Sequence, residues 1–217
     1  MKLVKCLAVA ATAALCAMPV MAEEAPAPDF AARINCFLPQ NSEDWDSAGN
    51  FEMQARFWSS PTFGTALCVG MGSWVARNEY SESSDDSGSM STSIYGDATV
   101  IPIGVSLLYR NTISGRVALT FEAGVRYIYT RSNLNAEISS EDANGTSLTR
   151  DLIYIDNPFV GVVGVTIENT MADGLSLVWG LGYQFDLTNP RETFMGDEMG
   201  STSFNSAMIN VGLTWEF

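Results

Sequence analysis

The chain has 217 residues, 25 acidic and 11 basic side chains, a formal charge of −14 and no histidine. This length is enough for one domain with a sizeable buried core. The acidic balance disfavours binding to nucleic-acid phosphates, and the lack of histidine excludes mechanisms that need an imidazole base or ligand.

The first 22 residues have the pattern of a secretory signal peptide. Two lysines open the chain, an apolar stretch follows, and small residues near the end favour cleavage between Ala22 and Glu23. The apolar stretch is shorter than the roughly 20 residues that cross a bilayer as a helix. A lipoprotein signal acylated at Cys16 is disfavoured because the bulky Leu15 precedes it. We therefore predict export, with a signal peptide over residues 1–22.

The exported part, residues 23–217, is predicted to form one domain after a short extension over residues 23–29. Its only cysteines are Cys36 and Cys68, which permit one disulfide in an oxidising compartment without requiring it. Sequence alternation directs the two side chains to opposite faces of a sheet, so pairing requires the first strand to fold inward. The sequence therefore leaves open whether the two cysteines form a disulfide or stay free. No CxxC or related ligand spacing is present, and we predict no metal site and no cofactor.

Apolar side chains alternate with polar or small ones in eight segments, which is the period-two pattern of β-strands. The clearest segment, residues 116–130, is far longer than the ~5–6 residues of an ordinary strand. The first segment is the poorest match and leaves the strand count open. In chain order the predicted strands are residues 30–38, 51–58, 67–72, 101–110, 116–130, 159–168, 175–186 and 210–217.

Short and long connections alternate between these strands. The short ones, residues 59–62, 111–115 and 169–174, are rich in Ser, Asn, Gly or Pro and suit tight hairpins. The long ones, residues 39–49, 78–97, 131–151 and 187–202, are polar and are predicted as acidic loops. A meander closed into a barrel has this alternation. The fold class predicted is all-β, an eight-stranded antiparallel up-and-down transmembrane β-barrel, with a soluble β-sandwich as the alternative.

Charged residues within the predicted strands fall on the polar face, away from the apolar one. An arginine facing lipid at the bilayer midplane would cost about 2–4 kcal/mol, so this face is expected to line the barrel interior. Glycines on the same face are expected to leave room for large neighbours such as Arg126 and Trp74. The predicted charge network of the lumen consists of Glu52, Arg56, Glu122, Arg126, Asp186 and Glu216.

Aromatic residues of the apolar face cluster near the two ends of the strands. Tyr127, Tyr129, Tyr183 and Phe185 lie toward the long loops, whereas Tyr109 and Trp215 lie toward the short turns. Aromatic belts of this kind form at both interfaces between lipid and water.

The C-terminal segment ends in Val211, Leu213, Trp215 and Phe217 at alternate positions, with an aromatic last residue. This ending resembles the terminal strand of bacterial outer-membrane β-barrels, and the plan of the exported chain is similar to the small OmpA/OmpX-type barrels. The resemblance implies recognition by the barrel assembly machinery through these four residues. It also implies location in the outer membrane, with long loops outside and contacts to lipid and lipopolysaccharide.

Catalysis is disfavoured because the exported chain has neither histidine nor lysine to activate a nucleophile. We predict no enzymatic activity and no catalytic residues. The expected function is structural or a surface interaction of the adhesion type, by a monomer that does not bind nucleic acid. The alternative is a narrow channel for small solutes, which requires the interior charges to leave the lumen open.

Overall fold

The structure is a computed structural model that describes residues 26–40, 45–77, 79–85, 88–142 and 145–216. Within that part of the chain, no helix has the length and hydropathy to cross a membrane. The described residues form fourteen strands: β1 (Asp29–Pro39), β2 (Trp45–Trp58), β3 (Phe63–Ala76), β4 (Glu79–Asp85), β5 (Gly88–Tyr95), β6 (Asp97–Ser114), β7 (Val117–Ser132), β8 (Leu134–Asp142), β9 (Gly145–Ile155), β10 (Phe159–Ala172), β11 (Leu175–Asp186), β12 (Arg191–Phe194), β13 (Asp197–Ser201) and β14 (Ser206–Glu216).

Eight of these strands close into an antiparallel barrel in the order β1-β2-β3-β6-β7-β10-β11-β14, and β14 pairs back to β1. The predicted eight-stranded barrel is confirmed. The uncertain first strand belongs to it, because β1 pairs along its length with β14 on one side and with β2 on the other. Asp29 begins β1, so the predicted extension over residues 23–29 reaches one residue too far.

Tight turns join β2 to β3, β6 to β7 and β10 to β11, all at one end of the barrel, which we call the turn end. The predicted short connections are confirmed in place, although β6 continues to Ser114 and β10 to Ala172 before the chain turns. Gly174 adopts a φ of +72°, which glycine tolerates without steric cost.

The prediction that the three longest connections are loops is wrong, because each of them contains a β-hairpin. These hairpins are β4–β5, β8–β9 and β12–β13, and they pair into a second sheet in the order β4-β5-β8-β9-β12-β13. We call this the hairpin sheet and its side of the barrel the hairpin end. Pairing between hairpins satisfies backbone groups in segments that have too few apolar residues to show a clear strand pattern. Leu134, Ala136 and Ile153 anchor the sheet by packing into the core at the hairpin end.

The outward face of the barrel is apolar, as the alternation predicts. The large hydrophobic residues named below, which face outward from the barrel strands, are 37–65% exposed, the reverse of a soluble protein, which keeps exposed apolar patches small. Together with closure of the sheet, this rules out the soluble β-sandwich. The outward set includes Ile34, Phe51, Met53, Leu67, Val69, Ile103, Leu107, Phe121, Val125, Val163, Leu177, Trp179, Leu181, Ile209, Val211 and Leu213.

Candidate functional site

The inside of the barrel is the candidate functional site, because buried charges, amides and aromatic rings fill it in layers. From the turn end, the layers are a first charged cluster, a second charged cluster, an asparagine layer and an aromatic layer. Each layer is built by the inward positions of the strands, which recur at every second residue. The site therefore follows from the same alternation that makes the outer face apolar.

Four residues form the second charged cluster, which we call the central tetrad: Arg33, Glu52, Glu122 and Arg126. The Arg33 guanidinium donates to Glu52 at 2.8 Å and to Glu122 at 2.9 Å. Arg126 donates to Glu122 at 2.6 Å and to Glu52 at 3.2 Å. Each cation thus binds both anions, the net charge is zero, and all four side chains are at most 7% exposed.

Two neutral side chains complete the central tetrad. Ser106 donates to Glu122 at 2.6 Å and accepts from Arg126 at 2.8 Å. The Gln54 amide donates to Glu52 at 3.0 Å and to Glu122 at 3.2 Å. These additional hydrogen bonds satisfy buried charges that would otherwise be costly to remove from water.

Nearer the turn end lies the second group of four, the turn-end tetrad of Asp29, Arg56, Arg110 and Glu168. Arg56 donates to Asp29 and, at 2.6 Å, to Glu168. Arg110 donates to Glu168 at 2.9 Å and to Asp29 at 3.3 Å. The two cations again bind both anions, so this cluster is also neutral.

Trp58 and Thr120 surround the turn-end tetrad. The Trp58 indole donates to Asp29 at 2.8 Å, and the Arg110 guanidinium carbon lies 3.9 Å from the centre of the Trp58 ring. Thr120 donates to Glu168 at 3.0 Å. A stacked, hydrogen-bonded arginine of this kind is held in one geometry more firmly than a lysine would be.

Both tetrads cross the full width of the barrel. Arg33 lies on β1 and Glu122 on β7, and these strands are four apart in either direction around the eight-stranded ring. Arg56 on β2 and Glu168 on β10 are likewise opposite each other. Two layers of ion pairs therefore bridge diametrically opposed walls and obstruct the lumen.

Glycine makes room for the largest of these side chains. A Cβ added to Gly104 would lie 2.6 Å from Arg126 Cδ, and one added to Gly124 would lie 2.7 Å from Arg126 Nη1. The Arg126 side chain thus lies over two glycines of β6 and β7. This fits the expectation that small inward residues accommodate large neighbours.

Toward the hairpin end, amides and then aromatic rings close the lumen. Asn35 donates to Asn50 at 2.6 Å directly beside the central tetrad. Beyond it lies the aromatic plug, in which Trp74 is 1% and Phe204 0% exposed. Ring centres within the plug are 4.8–5.7 Å apart, the spacing of well-packed aromatic pairs. The plug consists of Phe37, Trp45, Trp74 and Phe204.

Glu52, Cys68 and Glu122 bring three potential metal-ligand atoms within 4.8 Å of one another. Both carboxylates already accept hydrogen bonds from the two arginines of the central tetrad. A divalent cation would have to displace or approach two guanidinium groups, so the donor set does not fit a metal centre.

Two members of the predicted charge network belong to neither tetrad. Asp186 lies at the hairpin-end rim, where it accepts from the Ser203 hydroxyl at 2.8 Å and from the Phe204 amide. Glu216 is exposed at the turn-end mouth. Both face the expected side of their strands, but each lies at a strand end, beyond the layers that the tetrads occupy. The prediction of one network of six residues is therefore wrong.

The structure also contains members that the predicted set lacks: Asp29, Arg33, Arg110 and Glu168. Each occupies an inward position, so alternation alone could have placed Arg33, Arg110 and Glu168 in the lumen. Asp29 lies where the sequence predicts a chain extension. The pairing of the charges depends on distances between side chains inside the barrel, and these distances cannot be read from the spacing of residues in the sequence.

The remaining predicted sites lie on the outer face. Phe159 packs against Tyr127 at 5.2 Å near the hairpin end, where Tyr129 is 49% exposed. Tyr183 donates its hydroxyl to Gln40 at 2.6 Å, and the Phe185 ring covers Gly161. These positions agree with a belt at the hairpin end.

A second group of rings surrounds the turn end. Tyr109 lies 5.2 Å from Phe63 and 6.0 Å from Phe121, and Trp215 stacks on Phe30 at 6.0 Å. The assembly-signal residues Val211 and Leu213 also point outward, at 50% and 40% exposure.

Some predicted residues have a different outcome. Phe217, Ala22 and Glu23 lie outside the described residues, so their predicted roles stay predictions. Cys36 is exposed on the outer face, Cys68 is buried in the lumen, and both are free, so the alternative of a disulfide between them is wrong.

Comparison with known proteins extends this description. Neither family models nor curated protein sequences match the chain. Among solved structures, the outer membrane protein OprG from Pseudomonas aeruginosa superposes with a TM-score of 0.58 at 8% identity, covering 89% of this chain and 97% of that one. Neisserial surface protein A superposes with a TM-score of 0.54 at 12% identity, covering 90% of this chain and 100% of that one. The fold is that of the small outer-membrane β-barrels. At these identities the outer-membrane barrel fold is what the chain shares with the two proteins.

Proposed function

We propose that this protein is an integral outer-membrane barrel with a structural or surface-interaction role, and that its lumen is closed to ions and solutes. The observation that carries the proposal is the pair of tetrads, which bridge opposite walls of the barrel. The Arg33–Glu122 contact of 2.9 Å and the Arg56–Glu168 contact of 2.6 Å each cross its diameter. The aromatic plug obstructs the lumen at a third level, toward the hairpin end.

A channel role needs these contacts to open. Removing one partner from a buried ion pair costs about 3–5 kcal/mol, so an open state with several broken pairs would be rare. Each tetrad is also neutral, which leaves no unbalanced charge to attract an ion. The closed barrel therefore favours a role in the membrane or at its surface over transport.

Planar-bilayer recording tests this proposal. The purified protein should give no repeatable single-channel steps, while an unboiled gel of the same vesicles shows that it has inserted. Regular steps of one conductance from the inserted protein would contradict the closed lumen and favour the channel.

The hairpin sheet is the part of the molecule best placed to meet other molecules. It projects beyond the barrel, and β13, one of its two edge strands, is short, carries the exposed acidic residues Asp197 and Glu198, and pairs with β12 through a bulge. Such features discourage uncontrolled edge-to-edge pairing. We propose that this sheet faces outward from the cell, next to lipopolysaccharide, and that the protein acts as a monomer without catalytic activity. The barrel assembly machinery would bind the terminal strand during biogenesis.

Orientation can be tested with two cysteine variants. Glu198→Cys places a thiol on the hairpin sheet, and Arg116→Cys places one at the exposed turn end. A maleimide that does not cross membranes should label the first variant on intact cells and the second only after lysis, with wild type as background. The opposite pattern would refute the outward hairpin sheet.

A further inference from the structure

Three buried polar atoms of neighbouring lumen side chains have no hydrogen-bond partner among the described residues. They are Nε of Arg33, Oδ1 of Asn35 and Oδ1 of Asn210. Buried polar groups are nearly always hydrogen-bonded, either to protein or to an ordered water molecule. We propose that these three atoms together bind one water molecule at the seam of the barrel, where the first strand β1 pairs with the last strand β14.

The strand register brings the three side chains together. Arg33 and Asn35 are successive inward residues of β1, and Asn35 pairs directly with Asn210 of β14. Paired residues of an antiparallel sheet have Cβ atoms about 4.5–5.5 Å apart. The fourth inward position of this block is Gly212, which pairs with Arg33. The three atoms therefore surround one small area of the lumen wall.

Glycine keeps this area free of further side chains. A Cβ added to Gly212 would lie 2.1 Å from the carbonyl oxygen of Ala32, because β1 and β14 approach closely here. Gly180 of β11 pairs with Asn210 on the other side of β14. The lumen wall is thus recessed at two positions next to Asn210. A bound water molecule takes up only about 30 Å³ and needs two to four polar partners.

One donor and two acceptors select water over an ion. The Asn35 amide nitrogen donates to Asn50 at 2.6 Å, which leaves the Asn35 oxygen for the site. A water molecule can accept from Arg33 Nε and donate one hydrogen to each asparagine oxygen, so all three atoms are satisfied. A metal cation would lie beside the positive guanidinium, and an anion would face two carbonyl oxygens. Only a neutral molecule that both donates and accepts fits these groups.

The site is enclosed on both sides. The three side chains are at most 6% exposed, the aromatic plug lies toward the hairpin end, and the turn-end tetrad lies toward the other end. The bound water should therefore exchange slowly with solvent. It would also connect side chains of β1 and β14 across the seam, next to a position where Gly212 has no side chain to do so.

A high-resolution crystal structure of the detergent-extracted protein tests the site directly. We expect one peak of electron density at hydrogen-bond distance, about 2.7–3.2 Å, from all three atoms. Absence of this peak, or a direct hydrogen bond from Arg33 Nε to either asparagine oxygen, would overturn the inference. Replacement of the peak by rubidium or bromide in soaked crystals would identify an ion and would also overturn it.

A solution measurement provides a matched comparison. Magnetic relaxation dispersion of ¹⁷O in water counts the long-lived internal water molecules of a protein. Asn210→Leu removes one acceptor and fills the recess, so it should lower this count by one. Asn111→Leu, the same change at an exposed position of β6, should leave the count unchanged. Equal counts in wild type and Asn210→Leu would overturn the inference. If Asn210→Leu does not fold, as judged by the unboiled gel, Asn210→Val removes the same acceptor with a smaller side chain and replaces it.

Discussion

Neutralising Glu122 should destabilise the barrel more than any surface charge change. This carboxylate accepts hydrogen bonds from Arg33, Arg126, Ser106 and Gln54 at 2.6–3.3 Å and is 7% exposed. Glu122→Gln keeps the size of the side chain but leaves the central tetrad with an uncompensated positive charge. Breaking a buried pair in this way costs about 3–5 kcal/mol.

The size of the effect can be stated for a urea titration of the protein in detergent or vesicles, followed on unboiled gels. With a denaturant slope of about 2 kcal/mol per molar urea, a loss of about 4 kcal/mol lowers the midpoint by about 2 M. The control is Glu198→Gln. Glu198 pairs with Arg191 at 3.5 Å with both side chains 60% or more exposed, so its removal should cost less than about 1 kcal/mol.

A double variant distinguishes a coupled cluster from independent contacts. Glu122→Gln with Arg126→Gln restores neutrality and leaves Arg33 paired with Glu52. The loss should therefore be smaller than the sum of the two single losses, because residues in one ion-pair network do not act additively. Equal midpoints for Glu122→Gln and the Glu198→Gln control, or strict additivity in the double variant, would refute the tetrad as described.

Three further changes test other parts of the structure. Gly124→Val should displace Arg126 and destabilise the barrel by about 1–3 kcal/mol, whereas Gly115→Val, in a turn with nothing near its Cβ position, should have little effect on the urea midpoint. Trp74→Ala should cost about 3–5 kcal/mol yet leave planar bilayers silent, because the two tetrads still cross the lumen; conductance steps would show that the aromatic plug alone closes it. Val211→Arg places a charge on the lipid-facing surface and should cost about 2–4 kcal/mol, so an unchanged midpoint would contradict lipid contact there.

Strand positions and faces could be predicted from the sequence because membrane barrels impose a strict alternation. Residues 116–130 are the clearest case, and β7 pairs on both sides from Val117 to Tyr127. The first strand is harder to predict, because its inward-facing Ala31 and Phe37 are apolar like its outward-facing residues, so the two faces of the strand contrast less. The local sequence pattern predicts whether a side chain faces lipid or the lumen, whereas its ion-pair or hydrogen-bond partner depends on how the sheet closes.

The hairpin sheet and the composition of the tetrads were beyond the reach of sequence patterns. β5 is rich in serine, and β8 reaches the core only at its barrel-proximal residues Leu134 and Ala136, so the pairing of these strands depends largely on the neighbouring hairpins. Asp186 and Glu216 show that the predicted face of a charged residue does not fix its position along the barrel axis. They have the right charge and face, but their height along the barrel places them at its rims, and height follows from strand stagger.

The central claim is that this chain spans the outer membrane as a closed barrel. The most direct test compares boiled and unboiled samples of the detergent-extracted protein on a denaturing gel, after separation of membrane and soluble fractions. The account predicts a membrane-bound protein whose unboiled form migrates differently, because the closed sheet resists the detergent until it is heated. A protein found in the soluble fraction, with one mobility in both samples, would contradict it.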